Sequence, residues 1–168
     1  DVPGYTHDLD KAKAELAQAA VKPTSLEIVY DASNQSDNDV AQILKQDLDA
    51  LGIQLKLSPL ETGAFLDRAY GLTADLVLWS YGAVSPDVVD PLAWISGTSW
   101  LFSGVNTDRV TEQFHAYASA PSSAQKEDII REVQNDGNTE LPAAALAQFQ
   151  VLYAVAPRVH GFAPTPWG

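Results

Sequence analysis

The chain has 168 residues, of which 46% are hydrophobic, enough for one ordinary domain with a single core. Lys and Arg total 10 against 22 Asp and Glu, a formal charge of -12, so the surface repels phosphate backbones and anionic lipid heads and argues against nucleic acid as a partner. Cysteine is absent, which excludes disulfides, thiolate chemistry and Cys-based zinc sites.

Asp8 is placed to cap a first helix in which Leu9, Ala12, Leu16 and Ala19 recur at helical spacing, before Pro23. Leu26-Glu27-Ile28-Val29-Tyr30 is rich in strand formers. Asp31 to Asn38 reads as a polar loop. The helix after it carries Val40, Ile43, Leu44, Leu48 and Leu51 on one face, with Gly52 at the left-handed C-terminal position. Ile53 to Leu57 alternates as a strand, and a short helix is predicted over 62–70. Asp75 to Tyr81 reads as a strand with both faces buried. Helix and strand alternate three times, the order expected of a parallel α/β sheet.

The second half opens on a long loop, 82–106, with one short helix predicted near Val89–Ile95. Thr107 is placed to cap a helix through Ala118 with Val110, Phe114 and Tyr117 inward. Ser122 to Gln125 forms a capping box before a helix over 126–136, closed by Gly137. A last, antiparallel strand is predicted near Gln148 to Val155, where Phe149, Val151, Tyr153 and Val155 alternate. The whole range 1–168 reads as one domain.

Catalytic chemistry finds little footing. His7, His115 and His160 lack metal-ligand spacing, and no serine sits in a nucleophile elbow. Asp31-Ala32-Ser33 stands where a phosphate-binding loop would follow the first strand. The pairs Asp8/Asp10 and Asp37/Asp39 suit helix N-termini, whereas Asp87 and Asp90 lie in the aromatic loop. Asn34-Gln35-Ser36 matches a short glycosylation sequon. No cofactor is implied, and the reading is a binding protein, not an enzyme.

The informative stretch is Trp79 to Phe102. In an open α/β sheet, ligands meet the loops at the carboxyl ends of the strands. That stretch holds Trp79, Tyr81, Val84, Ser85, Asp87, Trp94, Trp100 and Phe102, with three of the four Trp of the chain. Aromatic walls with a few polar groups are what small-molecule and peptide sites use, and these eight residues are the candidate ligand-binding edge.

The order of these segments resembles the C-terminal lobe of the family 5 peptide/nickel-type solute-binding proteins of ABC importers, over nearly the entire chain. Asp8 to Leu16 resembles the entry helix of that family, and Leu51-Gly52-Ile53-Gln54-Leu55 with Pro59-Leu60-Glu61 and Phe65-Leu66 resembles its second helix, strand and turn. Trp79-Ser80-Tyr81-Gly82-Ala83 with Pro86-Asp87 resembles its ligand loop. Ser103 to Asn106, then Gln134, Pro142, Tyr153 and Val159-His160-Gly161-Phe162, resemble its later segments.

The resemblance implies a periplasmic-binding-protein-like lobe inserted between two hinge strands, with the N-terminal lobe outside this chain and a solute enclosed between the two. It implies a peptide or other small-molecule ligand, an importer permease as partner, and an extracytoplasmic, lipid-anchored protein. Val84 stands where peptide binders of the family carry the Asp that holds the peptide α-amino group, and an apolar side chain cannot pair with ammonium. A sugar, a glycolipid part and a blocked peptide therefore stay open as ligands. So does a transport-independent role as a regulatory or interaction lipoprotein, with an envelope enzyme of glycolipid synthesis as partner.

Overall fold

A computed structural model describes residues 5–80, 107–140, 143–147 and 153–163. The chain divides into two compact units, Pro3–Tyr81 and Gly82–Gly168 with Asp1–Val2.

The first unit runs α1 (Leu9–Gln18), β1 (Ser25–Asp31), α2 (Gln35–Ala50), β2 (Gln54–Leu60), α3 (Thr62–Tyr70) and β3 (Leu76–Val77). The strands lie in the order β2-β1-β3. Both pairings are parallel, β1 matching β2 from Ser25↔Gln54 to Asp31↔Leu60 and β3 at Ile28↔Leu76 and Val29↔Val77. This is the expected α/β lobe, a small parallel sheet flanked by helices.

The alternation of β1 divides the core in two. Ile28 and Tyr30 pack with Leu55, Leu78 and Ala41 of α2, while Val29 on the opposite side packs with Phe65 and Ala69 of α3. A fully buried side chain of this size contributes about 1.5–3 kcal/mol. Glu27 shares the α3 side of β1 and accepts hydrogen bonds at 2.7 Å from Lys56 Nζ, Ser58 Oγ and Arg68 Nη2, tying β1 to β2 and α3. Those bonds, Lys56 first, then Ser58 and Arg68, bring its carboxyl down to about 2.

Several expectations are corrected. The polar stretch after β1 is mostly helix: Asn34 caps α2 by accepting from Ser36 N at 3.0 Å, so only Ala32 to Asn34 link the two elements. Capping residues and loop residues share a composition, which hides the helix start. Ile43 is 59% exposed. The packed face of α2 runs through Ala41, Leu44 and Leu48, and Ile43 sits one position, or 100°, off that line. The third strand is much shorter than 75–81. Its two ladder residues Leu76 and Val77 are 37% and 38% exposed, so neither face is fully covered there. Asp75 Oδ2 takes the Glu27 N–H at 2.8 Å, where a longer ladder would place a backbone carbonyl.

The ends of α2 and α3 are built alike. Gly52 (φ +80°) closes α2, with Gly52 N bonding Asp49 O and Ile53 N bonding Leu48 O. At α3 the same pair of bonds runs from Leu72 N to Ala69 O and Thr73 N to Arg68 O, which puts Leu72 in the left-handed position at φ +51°. The neighbouring Gly71 is needed for space, since a Cβ there would meet Asp67 O at 2.8 Å.

In the second unit α4 (Thr107–Ser119) and α5 (Ser123–Glu140) are joined by the predicted capping box. Ser122 Oγ accepts from Gln125 N at 3.3 Å and donates to Gln125 Oε1 at 2.9 Å. Thr107 is the first helical residue of α4, not the residue before the helix. Val110 and Val133 are buried, and Phe114, Tyr117, Ile129 and Ile130 half-buried, on the expected faces. Asp136 links the helices, bonding Arg109 at 2.9 Å and Gln113 Nε2 at 2.8 Å. Gly137 does not close α5. The helix passes through it to Glu140, because an interior glycine costs only about 1 kcal/mol against alanine. Tyr153 to Val155 form no strand, so the late antiparallel strand is absent among the described residues, and Gln148–Leu152 lie outside them. The helix expected near Val89–Ile95 also lies outside the described residues.

Candidate functional site

The first unit carries a concavity of about 270 Å³ at the carboxyl ends of its parallel strands. Three stretches converge there. The turn after β1 supplies Asp31, Ser33 and Asn34, and the first turn of α2 adds Asp37. The start of α3 supplies Thr62, Phe65 and Leu66, and the residues after β3 supply Trp79 and Ser80. Parallel pairing causes this convergence, because the three strands end at the same edge, and β1 and β2 hand over to helix N-termini there.

The wall is aromatic. The Trp79 ring meets Phe65 edge-on at 5.2 Å and 72°, and Tyr70 at 5.7 Å and 45°. Such pairs contribute about 0.5–1.5 kcal/mol beyond area burial. Polar groups face it. Asp31 Oδ1 accepts from Ser33 Oγ at 2.7 Å and from Ser33 N at 2.8 Å. The Ser33 hydroxyl, the Ser33 amide and the Thr62 hydroxyl hold the Asp31 carboxyl below its usual range. Asp37, only 4% exposed, accepts from Ser80 Oγ at 2.7 Å in the first turn of α2, where the helix dipole favours a carboxylate. Among the described residues neither Asp31 nor Asp37 has an ion pair, and the lining has no Lys, Arg or His. The concavity thus offers acceptors, hydroxyls and ring faces to a donor-bearing ligand.

Of the predicted binding residues, Trp79 lies in this concavity. Tyr81, Val84, Ser85, Asp87, Trp94, Trp100 and Phe102 lie outside the described residues. Sequence reasoning missed Asp31, Ser33, Asn34, Asp37, Thr62 and Phe65 as a site. It applied the strand-end rule to the third strand alone, although the rule holds for β1 and β2 as well. The sequence marks Asp37 as a helix-terminal carboxylate, which it is, and Asn34 as part of a sequon. Its side chain is in use as the cap of α2, and its Nδ2 donates to Ser80 Oγ at 3.4 Å. Among the described residues no group of three potential metal ligands comes together, and no helix is long and apolar enough to cross a membrane.

Residues 1–102 match the family described as Bacterial extracellular solute-binding proteins, family 5 Middle. The chain is 33% identical over 92 residues, 55% of its length, to the "Probable D,D-dipeptide-binding periplasmic protein DdpA" of Escherichia coli (strain K12), and covers 17% of that protein. It is 24% identical over 171 residues, 96% of its length, to the Di/tripeptide-binding protein 2 of Pseudomonas aeruginosa (strain UCBPP-PA14), and covers 32% of it. The crystal structure of a periplasmic oligopeptide-binding protein from Borrelia burgdorferi superposes with a TM-score of 0.71 at 15% identity, over 83% of this chain and 30% of that one. The fold is therefore that of periplasmic binding proteins, and the chain spans less than a third of the length of each of these relatives.

Proposed function

Since the chain belongs to the bacterial extracellular solute-binding proteins of family 5, we propose that it forms one ligand-enclosing lobe, a single domain over 1–168, of a two-lobed receptor serving an ABC importer. The observation that carries this reading is the concavity at the strand ends with Trp79 in its wall. The other lobe and the importer permease are the partners, the location is extracytoplasmic, and a lipid anchor belongs to the full-length protein. The lobe binds and performs no chemistry. Tyr81 to Asp87, Trp94, Trp100 and Phe102 extend the binding edge beyond Trp79.

The ligand is a short peptide. Two of the relatives are named for dipeptides or tripeptides. Asp31 supplies acceptors for ammonium and amide N–H groups in a lining without cationic side chains among the described residues, which suits the donor end of a peptide and disfavours its carboxylate. This offers a route around Val84, which cannot pair with the α-amino group. The regulatory reading rests on Val84 alone, and no observation on the described residues favours it.

Isothermal titration of the full-length protein with a panel of di- and tripeptides tests the proposal. A bound peptide is expected, with Trp79→Ala weakening it by about tenfold or more, as for a buried aromatic contact. A panel without a binder rejects the peptide receptor, and unchanged affinity in Trp79→Ala rejects the site.

A further inference from the structure

The backbone ladder of β3 ends at Leu78, whose N–H bonds Val29 O at 3.0 Å. Trp79 and Ser80 follow it, and their side chains keep the strand alternation. Leu78 packs on the α2 side, Trp79 joins the α3 side, and Ser80 returns to the α2 side. The residue next to the aromatic wall is therefore fixed to a different element from the ring itself. Ser80 Oγ donates to Asp37 Oδ1 at 2.7 Å and accepts from Asn34 Nδ2 at 3.4 Å. Both partners sit at the start of α2, a helix of 16 residues, where Asn34 is held by Ser36 N and Asn38 N. The hydroxyl–carboxylate bond is charge-assisted, and the near-complete burial of Asp37 keeps water from competing for it.

We propose that Ser80 and Asp37 are positioning residues for Trp79, clamping the backbone after it to α2 so that its ring is presented to the concavity in one orientation. Phe65 and Tyr70 bracket the ring on the α3 side, but ring contacts tolerate sliding, whereas the clamp fixes the direction of the chain leaving Trp79. The significance of this orientation rests on the receptor reading above. The clamp itself does not.

The test uses the ligand-free full-length protein labelled with 5-fluorotryptophan and read by fluorine NMR, with Trp79→Phe identifying the Trp79 resonance. In Ser80→Ala that resonance is expected to shift or broaden, the minor ring environment rising about five- to tenfold, the equivalent of one net hydrogen bond. The other tryptophan signals stay as in the wild type, and the thermal midpoint falls by only about 2–4 °C, as for one lost hydrogen bond, so the variant stays folded. Asp37→Asn keeps an acceptor oxygen and retains the wild-type resonance, whereas Asp37→Ala reproduces the Ser80→Ala spectrum. An unchanged Trp79 resonance in Ser80→Ala overturns the clamp, and this variant decides even if Asp37→Ala does not fold. Failure of the receptor reading shows elsewhere, as peptide affinity that ignores Trp79→Ala.

Discussion

Replacing Phe65 by alanine strikes the core and the site wall together. Phe65 is 3% exposed, packs with Val29 and Ala69, and meets Trp79 edge-on at 5.2 Å. Removing its buried apolar surface costs about 1.5–3 kcal/mol. Losing the ring pair adds about 0.5–1.5 kcal/mol. The cavity left behind brings the sum into the range of about 3–5 kcal/mol seen for buried Phe→Ala changes. For a chain of this length the thermal midpoint should fall by about 2–4 °C per kcal/mol, about 6–20 °C in all. Phe65→Leu keeps most of the apolar volume and should lose little beyond the ring pair, about 0.5–1.5 kcal/mol. Urea titration followed by circular dichroism and tryptophan fluorescence separates the two variants. A loss below about 1 kcal/mol in Phe65→Ala, or equal losses in both, would refute the packing argument, since a surface site gives the first and a loss set by the ring pair alone, with nothing from buried volume, gives the second.

Gly137→Ala should stabilise α5 by about 1 kcal/mol, because the position is helical and an added Cβ meets nothing within 4 Å; a thermal midpoint at or below wild type contradicts this. Leu72→Gly should raise stability by about 1 kcal/mol, relieving a left-handed leucine that buries little, and a destabilised variant in urea would show that Leu72 has packing its exposure conceals. Glu27 makes stability fall with acid. Its folded carboxyl is held at about 2 against 4.5 for the free group, so the contribution is complete above about pH 4.5 and is lost as pH falls toward 2. Glu27→Gln should flatten that part of the stability–pH curve, and a variant with the wild-type acid slope would disprove the assignment.

The first half of the fold was legible because its signals are local and agree. Asp8 caps α1, Gly52 takes the left-handed position after α2, and Leu55 and Leu57 alternate along β2 with Ile53 just before it. Where composition is ambiguous, the sequence misled. Polar residues 35–38 read as loop while serving as the first turn of α2, and Gly137 read as a stop while the helix ran on. The apolar run after Asp75 reads as a covered strand, yet only Leu76 and Val77 join the ladder.

The site divides the same way. Trp79 was readable because a ring at the end of an apolar strand marks the ligand edge of an α/β sheet. Its companions were not, since nothing local tells Asp37 of a helix start that it will meet Ser80, 43 residues on. By itself the sequence determined the order of helices and strands in the first half and which family pattern they follow, because capping, periodicity and left-handed glycines act over a few residues. Only the tertiary structure decided that Asp31, Asp37, Thr62 and Trp79 share one concavity, because parallel pairing of β1 with β2 and β3 carries three distant strand ends to one edge.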